Sequence, residues 1–229
     1  MEFAGKGGSF LFVCEYISND PMRTMSNYQT LLRSYGFVPR KGLVVADVNA
    51  PDTYYESVTD LVPEICSTDI TLNMLAGGSR DLVLPKATAF EEPEEADRYL
   101  SVDTVLRSGD TAVLKDSGQD EEPAGPFPLA LQARRITADG YLSRAFIIGD
   151  SGVLTSEYLY AQTDSMEFTV RVADYLLDTG ESSLQIMPKE ISRPGLKTES
   201  SGLGSLLLVA LPLSVLFAAL LVLGPRKNA

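Results

Sequence analysis

The chain has 229 residues, with 31 acidic against 19 basic side chains and a formal net charge of −12. That acid excess excludes nucleic acid as a partner, because phosphate backbones are held by basic faces. Histidine is absent, which removes Ser-His-Asp and Cys-His nucleophile pairs, His-ligated zinc and the commonest general base near neutral pH.

Residues 1–14 have no basic leader, and their apolar stretch, 10–13, is too short for a signal peptide. They read as the last turn of a helix, a Gly7-Gly8 turn and a buried strand ending at Cys14. Asn19-Asp20-Pro21 is a turn or helix start. Met25, Tyr28, Leu32 and Tyr35 recur at helical spacing and predict an apolar helix face, closed by Gly36. Residues 42–46 read as a second strand. Strand, helix and strand within about forty residues predict a βαβ unit, hence a right-handed crossover and a parallel sheet.

Residues 81–85 and 111–115 predict further strands, the first ended or placed on an edge by Pro85. The acidic stretches 91–95 and 116–122 predict surface loops. Strands are expected at 127–133 and 143–148, the second stopping at Gly149-Asp150-Ser151. Asp164 and Glu167 predict a capping box on a helix whose apolar face is Phe168, Val172, Tyr175 and Leu176. Residues 184–187 are a last strand-like piece. Residues 189–202, polar and containing Pro194 and Gly195, read as a linker.

Residues 203–224 form an uncharged run of 22 residues. A helix needs about 20 apolar residues to cross the hydrocarbon core, so the run is long enough. Arg226 and Lys227 behind it favour the cytoplasmic side. The expected organisation is an extracytoplasmic α/β domain at 1–188, a juxtamembrane linker at 189–202, a transmembrane helix at 203–224 and a cytoplasmic tail at 225–229. A buried core helix is the alternative. The LPxTG pattern of a wall-sorting signal is missing, and charges after the run speak against a GPI signal. The missing leader makes the chain read as the C-terminal part of a longer protein.

The expected fold class is α/β, a mostly parallel Rossmann- or flavodoxin-like sheet with flanking helices. Ligands in such sheets sit beyond the carboxyl ends of strands, which makes Asp150 and Ser151 the candidate ligand contacts. The competing reading is a tight turn in which Asp150 bonds its own backbone. Cys14 also ends a strand, but no base accompanies it and Glu15 disfavours a thiolate, so it reads as an ordinary buried thiol. Cys14 and Cys66 either pair or stay reduced. The acidic cluster at 91–97 lacks EF-hand spacing and reads as a solvated loop. Gly77-Gly78-Ser79-Arg80 matches neither a P-loop nor a dinucleotide fingerprint and reads as a turn. No catalytic residue, metal or cofactor is expected.

Several patterns follow one another in a telling order. Gly7-Gly8 leads into the apolar strand to Cys14. The helix end Leu31-Leu32-Arg33-Ser34-Tyr35-Gly36 precedes the segment 37–45. Gly125-Pro126-Phe127-Pro128-Leu129-Ala130, then residues 146–151, a helix, Ile186-Met187-Pro188-Lys189 and the terminal apolar run complete the series. Together they cover most of the chain and resemble the C-terminal half of the GldG family, named for gliding motility. Those proteins are described as auxiliary or substrate-binding-like components of ABC-2-type transport systems. The resemblance implies an extracytoplasmic domain similar to class I amidotransferase-like or ThuA-like folds, without an established catalytic centre. It implies an N-terminal membrane helix and a first half-domain that this chain lacks, and it makes ABC permease and ATPase subunits the expected partners. The expected function is therefore a non-enzymatic, membrane-anchored accessory component. The alternative is a cell-surface carbohydrate- or peptide-binding domain using the pairs Tyr54-Tyr55 and Tyr158-Leu159-Tyr160. A hydrolase pairing Asp150 with a distant Glu is a third reading.

Overall fold

The computed structural model describes residues 2–16, 25–78, 81–93, 98–116, 125–155, 164–178 and 213. In chain order the elements are α1 (Glu2–Gly5), β1 (Phe10–Val13), α2 (Ser26–Arg33), β2 (Leu43–Val45), β3 (Asp60–Leu61), β4 (Glu64–Ile65), α3 (Leu72–Gly77), β5 (Leu84–Pro85), β6 (Leu100–Arg107), β7 (Val113–Lys115), β8 (Pro128–Ile136), β9 (Leu142–Ile148) and α4 (Ser165–Leu177). Short 3-10 turns occur at Pro51–Thr53 and Gly152–Leu154.

One five-stranded sheet runs in the order β1-β9-β8-β6-β4. Only β1 and β9 are parallel, in register from Phe10 opposite Ala145 to Val13 opposite Ile148. The pairs β8-β9, β6-β8 and β4-β6 are antiparallel. Two small antiparallel ladders, β2-β7 and β3-β5, hold the other strands found among the described residues.

Side chains alternate across the sheet with a period of two, and both faces are covered. Phe12 of β1, Leu131 and Ala133 of β8, and Ala145 and Ile147 of β9 are buried with Leu32, Tyr35 and Phe37 around α2. Phe12 meets Tyr35 and Phe37 at ring centroid distances of 6.3 and 6.2 Å. On the opposite face Ala130, Phe146 and Ile148 are buried with Leu106, and with Phe168 and Val172 of α4. Phe146 and Phe168 meet edge to face at 5.9 Å.

The expected mostly parallel, Rossmann-like sheet is not what forms. The reason lies in what an apolar run reports. Ala145-Phe146-Ile147-Ile148 is continuously apolar because both faces of β9 are covered, and that coverage does not set strand direction. The expected βαβ unit fails in the same way. β2 lies antiparallel to β7 rather than beside β1, so α2 is not a crossover between parallel neighbours. A strand the apolar runs did not single out, β6, lies between β8 and β4. It alternates Leu100, Ser101, Val102 and Asp103, the period-two signature of an antiparallel strand.

Both principal helices lie where the spacing placed them. At the end of α2 the Phe37 N–H donates to the Leu32 carbonyl (3.0 Å) and the Gly36 N–H to that of Arg33 (2.9 Å). Gly36 has φ +74°, so this is a Schellman ending. Asp164 lies at the N-cap of α4, but its carboxylate bonds none of the helix's own N–H groups. It accepts instead from the Asp81 N–H at 3.0 Å, and the Asp164 N–H donates to the Asp81 carbonyl at 2.9 Å. Glu167 faces Arg171 at 3.4 Å rather than closing a capping box.

The chain divides into two units, residues 1–183 and 184–229. Among the described residues no helix is long and apolar enough to cross a membrane. The expected transmembrane helix at 203–224, apart from Leu213, lies outside the described residues, as do the strand-like piece at 184–187 and the linker at 189–202.

Candidate functional site

The parallel pair β1-β9 brings two chain segments out of the sheet at the same edge. The ladder runs one bond past the strands, the Cys14 N–H donating to the Ile148 carbonyl at 2.9 Å. Beyond it the two chains part: Cys14 and Glu15 continue one way, and Gly149-Asp150-Ser151 the other. Residues 86–90 come between them. Glu15 bridges to Ala87, and the Thr88 N–H donates to the Gly149 carbonyl at 2.9 Å. A Cβ on Gly149 would lie 2.1 Å from the Thr88 oxygen, so only glycine admits this approach.

The same segment carries the loop after α2. The Arg40 N–H donates to the Ala89 carbonyl (2.8 Å), the Val44 N–H to Ala87 (2.9 Å) and the Glu91 N–H to Val38 (2.9 Å). The Thr88 hydroxyl, itself buried, is within 3.1 Å of the Arg40 carbonyl and 3.0 Å of that of Gly42. The result is a cleft of ≈ 530 Å3 between the ends of β1 and β9, α2 and the loop 37–41. Val13, Leu32, Phe37, Val38 and Pro39 form its apolar lining. Its polar lining includes the Cys14 thiol, 3.8 Å from the Tyr28 hydroxyl, and the side chains of Gln29 and Ser151. Arg33, Arg40 and Lys41 supply three cations against the single carboxylate of Glu15 among the described lining residues. Arg40 is steadied over the Phe127 ring, 5.3 Å from its centroid.

Of the two residues singled out in the sequence, Ser151 lines this cleft and Asp150 does not. The Ser151 hydroxyl donates to Glu15 Oε1. Asp150 is buried, and its Oδ2 accepts from the Gly152 N–H at 2.9 Å. Burial pushes its carboxyl up to about 6; the N–H groups of Gly152, Val153 and Ser151 pull it down, and the charge of Glu15 pushes it further up. Asp150 thus serves the turn, as the Asx pattern allows.

The other candidates scatter. Cys14 and Cys66 are not joined in a disulfide. Cys66 lines a separate, polar cavity of ≈ 470 Å3 with Glu64, Glu92 and Arg107. Burial raises its pKa, with Arg107 opposing and the carboxylates of Glu64 and Glu92 adding to the rise. Glu92, from the acidic cluster, pairs with Arg107 at 3.2 Å; residues 94–97 lie outside the described residues. No group of three or more metal-ligating side chains occurs among the described residues. Gly78 ends α3 with φ +86°. Tyr54 packs toward the core while Tyr55 is exposed, so the pair offers no shared stacking platform; Tyr158 and Tyr160 lie outside the described residues.

The cations of the cleft were not singled out in the sequence. Their signal was there: Arg40-Lys41 is an adjacent basic pair in a chain of charge −12, one helical turn and a short loop beyond Arg33.

No family model matches the chain, and no curated protein does. Among solved structures it is similar to one described as the mmIFT52 N-terminal domain, with a TM-score of 0.53 and 16% identity over 79% of this chain and 69% of that one. At that identity the likeness is one of fold alone.

Proposed function

We propose that the chain is a non-enzymatic accessory component of an ABC-2-type transport system, GldG-like, whose folded part binds a ligand without transforming it. The observation that carries this reading is the make-up of the cleft at the β1-β9 edge. It combines an apolar lining with fixed charges and contains hydroxyls and a thiol, but the chain has no histidine to relay a proton to or from them. Asp150, the one strongly shifted carboxyl nearby, is turned into its own loop. A carboxyl so engaged holds a turn, whereas a general acid must reach a substrate. The uncharged run 203–224 and the resemblance of residues 7–14, 31–45, 125–130, 146–151 and 186–189 to GldG proteins support the transport assignment and a membrane tether with the folded part outside the cytoplasm.

Affinity purification of the full-length chain from its own membranes in mild detergent tests this reading. The expected result is stoichiometric recovery of an ABC permease and its ATPase. Recovery of the chain alone, folded and monodisperse, would overturn it. Alkaline extraction adds a check on the tether: the full chain stays with the membrane, and deletion of 203–224 releases it.

A further inference from the structure

Resting on that reading of the domain as a binding module, we propose that the β1-β9 cleft takes an anionic amphiphile, one carboxylate or phosphate head on an apolar body. Three features converge on this class. The cleft, at ≈ 530 Å3, falls within the range of about 300–1,000 Å3 that encloses a small organic ligand. Val13, Val38 and Pro39 give it an apolar wall, which a sugar or a free inorganic anion would leave unused. Among the described lining residues Arg33, Arg40 and Lys41 stand against the one carboxylate of Glu15, in a chain whose total is −12. Arg33 and Lys41 are exposed at its rim, where charge-assisted bonds to a head group form while the body enters the apolar part. The charge that recruits the ligand is local, since exposed charges more than about 10 Å away are screened at physiological salt.

Cys14 gives the site a built-in reporter, because its thiol lines this cleft whereas Cys66 lines the other cavity. The full chain, in nanodiscs of zwitterionic lipid, is alkylated with iodoacetamide, and each cysteine is followed by peptide mass spectrometry. Octanoate and octyl phosphate are expected to slow Cys14 alkylation about tenfold or more at saturation while leaving Cys66 unchanged. Octanamide, which lacks the charge, and acetate, which lacks the body, are expected to leave both rates unchanged. The double variant R33Q/K41Q alters exposed side chains and is expected to weaken octanoate by about 10- to 100-fold. Protection by octanamide equal to that by octanoate, or no protection by octanoate in the unmodified chain, overturns the proposal. In nanodiscs of anionic lipid, protection without added probe assigns the head group to a membrane lipid; its absence assigns it to a free molecule. Lost protection in a chain that still recovers its permease overturns the ligand class and leaves the transport reading intact. Protection in a chain that purifies alone does the reverse.

Discussion

Asp150 illustrates how a buried carboxyl taxes the fold. Its pKa is raised from 3.8 to about 6, so the native state holds this proton more tightly than the unfolded chain. The sign follows: the residue costs nothing while neutral in both states, below about pH 4, and subtracts stability as pH rises through about 6. Asp150→Asn keeps an oxygen facing the Gly152 N–H and removes the charge. It is expected to stabilise the protein by about 1–3 kcal/mol at pH 7.5 and by little at about pH 4, at 1.36 kcal/mol per pKa unit. Urea unfolding at the two pH values checks this, and a pH-independent difference would contradict the assigned cause. Gly149 is constrained by space alone. Gly149→Ala sets a methyl 2.1 Å from the Thr88 oxygen, in a place where backbone bonds hold both chains. The expected loss is at least about 2 kcal/mol in chemical denaturation, together with a distorted cleft. At this scale the sequence announced Gly149-Asp150-Ser151 as a turn after a strand, because glycine, Asx and hydroxyl chemistry is local. It did not announce that Glu15, 136 residues away, would receive the Ser151 hydroxyl, since that contact exists only once β1 lies beside β9.

At the scale of elements, α2 decides the shape of the cleft. Its end is set by Gly36, whose φ of +74° and missing Cβ both matter: an added methyl would lie 2.8 Å from Cγ2 of Val102. Gly36→Ala is expected to lower stability by about 1–2 kcal/mol from backbone strain alone, and by more if Val102 cannot yield, measured as a shift in the denaturation midpoint. The helix is also pinned through Tyr35, whose buried hydroxyl is 2.6 Å from that of Ser143. Ser143 in turn donates to the Gly8 carbonyl at 2.5 Å. Tyr35→Phe keeps the ring among Phe10, Phe12 and Phe37 and removes one neutral bond, an expected loss of about 1 kcal/mol. Both α2 and α4 were legible because an apolar face at helical spacing needs no knowledge of what it packs on. The ladder partners of β2, β5 and β7 were not, since short strands carry no mark of which neighbour they will find.

For the molecule as a whole, β8 and β9 supply side chains to both buried clusters, which couples the two faces of the sheet. Phe146→Ala on one face and Leu131→Ala on the other are therefore expected to lower the same single transition, each by about 2–5 kcal/mol. Coincident unfolding by far-ultraviolet circular dichroism and by the fluorescence of the 10 tyrosines, in a chain without tryptophan, checks this; separate transitions would show that the faces fold independently. What the sequence determined by itself was local or compositional: the two apolar helix faces, the apolar strands β1, β8 and β9, the turn at residues 149–151, the uncharged run 203–224, and the exclusion of histidine chemistry. Tertiary structure alone decided strand direction, the place of β6 between β8 and β4, and the gathering of Arg33, Arg40, Lys41, Cys14 and Ser151 around one cleft. The physical reason is that an apolar pattern records how much water a residue loses, whereas direction and pairing depend on hydrogen bonds with segments far away in the chain.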